Sequence, residues 1–200
     1  GGDATALAGD ITDPSALQGL RDAFLAWHPR LDALILNASG GLETDLVAAD
    51  PTYPMRINRD AQVALVDLFL PTMPMGATIV FITSHWAHLY AQTPQLPAYE
   101  PVAASKFAGE QALRARQDDF AQRGIRLLVV TADVIEGTMT PKLLERASPG
   151  LADGRRASQG PFPTAPELAV AIVDALNDST LANGATVVVG GSLESLRKHD

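Results

Sequence analysis

The chain has no cysteine among its 200 residues, which excludes disulfides, thiolate catalysis and cysteine-based zinc sites. Lysine is scarce, with only Lys106, Lys142 and Lys198. Positive charge is thin overall: 15 Lys and Arg stand against 23 Asp and Glu, for a formal net charge of −8. Arg155–Arg156 is the one Arg-Arg pair. A phosphate backbone would be repelled, so no nucleic-acid partner is expected. No apolar run approaches the roughly 20 residues that a bilayer-spanning helix needs. The opening Gly-Gly-Asp-Ala-Thr-Ala lacks the basic-then-apolar order of a secretory signal. The expectation is a cytoplasmic protein with no membrane partner. Internal repeats and low-complexity linkers are also missing. What remains is 46% hydrophobic and 19% charged residues, enough for one sizeable core and a single domain over 1–200.

Short apolar runs alternate with longer amphipathic ones. Ala4–Gly9 reads as a short strand and Asp13–Trp27 as a helix, with Asp13 as N-cap and Pro14 at the first helical position. Leu34–Leu36 forms a buried strand that runs into the turn Asn37-Ala38-Ser39-Gly40-Gly41. Met55–Phe69 has helical periodicity and ends before Pro71 and Pro74. Thr78–Thr83 is the clearest strand. Pro101–Arg123 reads as one long helix closed by Gly124, followed by strand Ile125–Val130. Ala165–Asn177 is a helix and Thr186–Val189 a last strand. Continuous apolar strands separated by helices predict an α/β fold, with a parallel sheet buried on both faces. In such sheets ligands sit at the carboxyl ends of the strands. Asn37-Ala38-Ser39-Gly40, Ser84-His85-Trp86 and Thr131–Thr140 follow three of the strands.

Lys106 stands out among small residues, in Ala103-Ala104-Ser105-Lys106-Phe107-Ala108-Gly109. Such a setting suits close packing, with the ammonium directed to a cleft; an exposed helix face would accept the same lysine. A tyrosine beside a lysine makes a sensible acid, because the ammonium favours phenolate and lowers the phenol pKa from about 10. Ser84 has the hydroxyl to hold a developing oxyanion. His85 and His88 have no apparent third partner, so no metal site is expected. With Trp86 they are expected in a loop lining a pocket, and Phe162, Leu144 and Leu151 are candidates for its other wall.

Taken in order, these segments resemble the short-chain dehydrogenase/reductase family. Ala8-Gly9-Asp10-Ile11-Thr12-Asp13 resembles its Asp-Val-Thr/Asp turn, and Leu31–Ser39 its Leu-Asp-x-Leu-Val-Asn-Asn-Ala-Gly strand and turn. Ile57-Asn58 resembles the helix carrying the catalytic Asn, Ala77–Ser84 the strand ending in the catalytic Ser, and Ala103–Lys106 the segment ending in the catalytic Lys. Pro166-Glu167-Leu168-Ala169 and Val188–Gly191 resemble the closing helix and strand. The resemblance implies a Rossmann-like, doubly wound parallel sheet that binds NAD or NADP. It implies reduction of a small-molecule carbonyl, or of an enoyl substrate, by hydride transfer. It assigns catalysis to Ser84, Tyr99, Lys106 and Asn58, with Tyr99 exchanging the proton and Asn58 supporting a water relay to Lys106. It assigns the cofactor to Asp10, Ile11, Asn37, Ala38, Ser39, Lys106, Val134 and Thr138. It also implies a homodimer or homotetramer built on the long helices.

Three departures qualify the resemblance. The family's Tyr-x-x-x-Lys places Tyr at position 102, where this chain has Val102. Tyr99 lies seven residues before Lys106, a spacing similar to that of the enoyl-reductase branch. A helix turns about 700° over that span, so the two would share a face about 10 Å apart. Loss of activity, leaving a binding or regulatory protein, is the third alternative. The Pro-Gly after the sixth family strand is replaced by Thr131-Ala132. Finally, the Gly-rich dinucleotide turn is lacking, and Gly1-Gly2-Asp3 aligns just before the third family strand. The sheet is therefore expected without its first two strands, as the C-terminal four-fifths of a longer chain.

Overall fold

The computed structural model describes residues 2–197; Gly1 and Lys198 fall outside them. In chain order the elements are α1 (Pro14–Leu25), β1 (Ala33–Leu36), α2 (Thr44–Ala49), α3 (Tyr53–Met55), a π-helical turn (Arg56–Asp60) and α4 (Ala61–Phe69). There follow β2 (Thr78–Ser84), α5 (His85–His88), α6 (Glu100–Arg114), α7 (Gln117–Gln122) and β3 (Arg126–Ala132). The last are α8 (Met139–Ala147), α9 (Leu151–Gln159), α10 (Ala165–Asn177), β4 (Thr186–Val189) and α11 (Leu193–Arg197). The N-cap expected at Asp13 is present. Asp13 accepts from the Ser15 N–H, and Thr164 with Glu167 forms a capping box at α10.

The strands form one parallel sheet in the order β1-β2-β3-β4, pairing Ala33 with Thr78, Thr78 with Arg126 and Val129 with Thr186. β2 and β3 sit in the middle and are buried along nearly their whole length, hence their unbroken apolar runs. Ile79, Phe81 and Leu127 face a core completed by Val66, Leu113 and Phe120. Val80, Ile82 and Val130 face the opposite core with Ile172 of α10. Helices therefore cover both faces, as the α/β reading requires.

Three expectations are corrected. Residues 4–9 form no strand; they run exposed along α1. A strand there would need a neighbour beyond β1, and among the described residues β1 pairs only with β2. The helix expected over 101–123 breaks at Ala115–Arg116. The break turns Phe120 into the core, while Arg116 reaches Asp67 at 2.7 Å and stacks over Phe120. The helix expected over 55–69 begins earlier and carries the π turn, which aims the Asn58 carbonyl at Gly109 of α6. A methyl group at Gly109 would overlap that oxygen and lie 3.2 Å from Phe81 Cζ, so glycine is what lets the two elements touch.

Candidate active site

A cleft of about 470 Å³ opens at the carboxyl ends of β1, β2 and β3, where a parallel sheet is expected to hold its ligand. Ser84 ends β2 and caps α5, its Oγ accepting from the Ala87 N–H at 3.2 Å. Tyr99 immediately precedes α6, and its hydroxyl donates to Ser84 Oγ at 2.9 Å. The Tyr99 ring is 5% exposed and packs edge-on against Trp86. Lys106, almost two turns into α6, enters the same cleft, with Ile82 O at 3.5 Å its hydrogen-bond partner. Asn37, Ser39, Val134 and Thr138 line the cleft as well.

Burial sets the protonation of this group. It holds the Lys106 ammonium down to about 8 and pushes the Tyr99 phenol above its ordinary value, against the smaller opposing effect of the Ser84 hydrogen bond. Lys106 is not among the groups that shift Tyr99, contrary to the expected pairing of ammonium and phenolate. The phenol stays protonated because its burial outweighs the Ser84 hydrogen bond.

Four candidates lie elsewhere. Asp10 folds back on Thr12, accepting from its N–H and its hydroxyl at 2.8 Å each, and Ile11 shares that N-terminal segment. Neither lines the cleft. Ala38 lends its carbonyl to Gln62 at 2.9 Å. Asn58 is buried, its Nδ2 donating to Gly40 O at 2.8 Å and Ser105 Oγ at 2.9 Å, while Oδ1 accepts from the Gly40 N–H at 3.3 Å. Its side chain therefore pins the β1 turn to α6 instead of facing Lys106.

Thr131-Ala132, in place of Pro-Gly, serves a second polar group. His85 is wholly buried, in helix α5 and not in a loop, with Nε2 2.7 Å from Gly190 O and Nδ1 3.0 Å from Thr131 Oγ1. A carbonyl can only accept, so Nε2 carries the hydrogen and Nδ1 accepts from Thr131. Burial lowers the His85 pKa and keeps the ring neutral. Next to it Asp133 meets Arg155 of α9 at 2.7 Å, both side chains nearly buried, and the guanidinium stacks on Trp86 at 5.1 Å from the ring centroid. Sequence reasoning missed Arg155; the Arg-Arg pair in a helix-forming segment was its only signal. Arg156 turns outward to Glu136 and the Phe162 ring. His88 binds the buried Glu110 at 2.9 Å, a carboxylate shared with Arg114 at 2.8 Å. No cluster of potential metal ligands exists among the described residues. Of the expected outer wall, Leu144 lines the cleft, and Phe162 and Leu151 pack behind it.

The family model for short chain dehydrogenase matches residues 1–148. The chain belongs to the short-chain dehydrogenase family. Solved short-chain dehydrogenases share the fold at low identity. The 3-alpha-hydroxysteroid dehydrogenase of Pseudomonas sp. B-0831, complexed with NADH, is 21% identical with a TM-score of 0.75, over 97% of this chain and 85% of that one. The Brucella melitensis glucose/ribitol dehydrogenase is 20% identical with a TM-score of 0.77, over 94% and 75%. Pseudomonas aeruginosa RhlG, in a complex with NADP, is 22% identical with a TM-score of 0.75, over 96% and 77%. No match was found among curated proteins. Within this family the unusual points are Val102, buried at 3% exposure where the family has its tyrosine, and a phenol that reaches Ser84 from one turn earlier.

Proposed function

We propose that the protein is an NAD(P)H-dependent oxidoreductase that reduces a carbonyl to a secondary alcohol, with Ser84 as the hydrogen-bond donor to the reacting oxygen. The observation that carries this reading is the Tyr99–Ser84 contact in the cleft beside Lys106. A serine hydroxyl has two acceptor lone pairs and one hydrogen. Ala87 N–H and Tyr99 O–H take both lone pairs, so the Ser84 hydrogen is free for the cleft. Tyr99 polarises Ser84 and, as a protonated phenol, can replace the proton that Ser84 gives up. Lys106 supplies positive charge beside the developing alkoxide.

The residues present suit the nicotinamide half of the cofactor. Lys106 is a desolvated ammonium with a single weak carbonyl contact, and Asn37, Ser39 and Thr138 offer polar groups around it. A phosphate cradle is not found in the turn after β1, where the space at Gly40 is filled by Tyr53 and that at Gly41 by Pro54 and Val102. When bound, the reduced cofactor supplies the hydride.

The test is oxidation of NADH or NADPH against a panel of ketones, read by absorbance. Ser84→Ala should lose about 100-fold or more in kcat/KM, the scale of one oxyanion donor. Tyr99→Phe should lose less and keep the Ser84 dependence. Absence of any dinucleotide binding by calorimetry, or a fully active Ser84→Ala, overturns the reading. A second reading, reduction of an enoyl thioester, is favoured by the Tyr99–Lys106 spacing and by a phenol that stays protonated to hold an enolate oxygen.

We place the protein in the cytoplasm as part of this reading; no described helix is long and apolar enough to cross a membrane. We further propose a homo-oligomer. The exposed large apolar side chains favour α10 and β4 as its contact, through Val170, Val173 and Val188, over the long helices. Sedimentation of a Val173→Glu variant tests this, a dissociated species being expected.

A further inference from the structure

The lining of the cleft limits what can enter it. Trp86, Val102, Val134 and Leu144 form a buried apolar wall, and Leu42 and Leu143 continue it outward. Among the described residues that line the cleft, Lys106 is the single cation, and it stands at the reacting end. The guanidinium nearest the wall, Arg155, is neutralised by Asp133 and sits against Trp86. Arg156 is held outward by Glu136 and Asp153. Only carboxylates remain: Asp133, already paired, and Glu43, whose Oε2 accepts from the Gly41 N–H at 2.6 Å and which has no cationic partner in the described structure.

We propose that the substrate is a compact, uncharged, apolar ketone, and that Glu43 at the cleft mouth excludes carboxylate- and phosphate-bearing competitors. This rests on the reductase reading above and narrows it. Away from Lys106 at the reacting end, an anionic group would be stripped of water against an apolar wall with no further cation to receive it and with Glu43 alongside. Thioesters carried on coenzyme A or on an acidic carrier protein would have to lead a charged arm past Glu43 and along the same apolar wall. The enoyl-thioester alternative is disfavoured on the same ground.

The experiment is calorimetry of the protein with saturating NADPH or NADH, against methylcyclohexanone, its charged counterpart oxocyclohexanecarboxylate, and acetoacetyl-coenzyme A. The neutral ketone is expected to bind at least tenfold tighter than either anion. Glu43→Gln, an exposed change of one atom, should narrow that gap, and Glu43→Lys should close or reverse it. Equal or tighter binding of the carboxylate or the thioester overturns the proposal, as does failure of the neutral ketone to bind. A gap unmoved in both Glu43 variants overturns the role of Glu43. Turnover is scored separately: a neutral ketone that binds without being reduced defeats the reductase reading and leaves the ligand class standing, whereas reduction of the carboxylate does the opposite.

Discussion

Replacing glycine by alanine should have opposite signs at two helical positions of this protein. Gly19 in α1 has nothing within 4 Å of where a Cβ would lie. Gly19→Ala should therefore show the plain helix-propensity gain, up to about 1 kcal/mol. Gly109 in α6 has the same local preference, but its methyl would overlap the backbone oxygen of Asn58. To reach an ordinary C···O contact of about 3.3 Å, α6 and the π turn would have to part by about 1 Å. The obstacle is backbone, so no rotamer change relieves it. Phe81 Cζ, 3.2 Å away and part of the central core, blocks the neighbouring direction. Overpacking of this kind costs about 1–3 kcal/mol. Set against a propensity gain of about 1 kcal/mol, the net is a destabilisation of up to about 2 kcal/mol. The displacement would also pull on Asn58, whose side chain ties Gly40 to Ser105. Urea unfolding of the two variants beside the parent, analysed by linear extrapolation with the m-value checked, reads both signs. A Gly109→Ala protein as stable as Gly19→Ala would refute the close contact between α6 and the π turn.

Two further outcomes follow from buried charge. Arg155→Met leaves the Asp133 carboxylate buried and removes the cation over Trp86, and should cost about 3–5 kcal/mol. Urea unfolding reads the loss, and the paired Asp133→Leu, Arg155→Met variant should recover part of it; a single variant with unchanged stability would count against the ion pair. The Lys106 ammonium is held at about 8 in the folded protein, against 10.5 for an ordinary lysine. Between those values the unfolded chain binds the extra proton, so stability without cofactor should rise with pH from about 8, by no more than about 3 kcal/mol. Thermal unfolding read below pH 10, before tyrosines titrate with the opposite sign, should show the rise in the parent and not in Lys106→Met.

Much of the sheet could be read from the sequence because β2 and β3 are buried on both faces and thus apolar through their middles, Ile79–Ile82 and Leu127–Val130. Their exits then located Ser84 and the cleft. What could not be read depended on contacts between distant segments. The break between α6 and α7 has no glycine or proline to announce it; it exists because Phe120 and Arg116 find partners in the core and on α4. Tyr99 was legible as a residue near Lys106 but not as a donor to Ser84, since that depends on the path between α5 and α6. The residues around Asn58 in sequence suit a group facing the site, whereas its hydrogen bonds to Gly40 and Ser105 make it a tie between elements.

The sheet order repeats the chain order, β1-β2-β3-β4. Each described strand after β1 pairs with the one synthesised before it, at separations of roughly 45 to 57 residues. At about 5–20 residues per second, the ribosome releases a new strand every few seconds. Among the four described strands, each docking event thus extends a surface already in place, and none is inserted between two others. The open hydrogen-bonding edge advances from β2 to β3 to β4 as synthesis proceeds. The cleft takes its full lining only when Leu143 and Leu144 of α8 and Ala165 and Leu168 of α10, all beyond β3, arrive, so during synthesis the β1-β2-β3 core precedes the complete pocket.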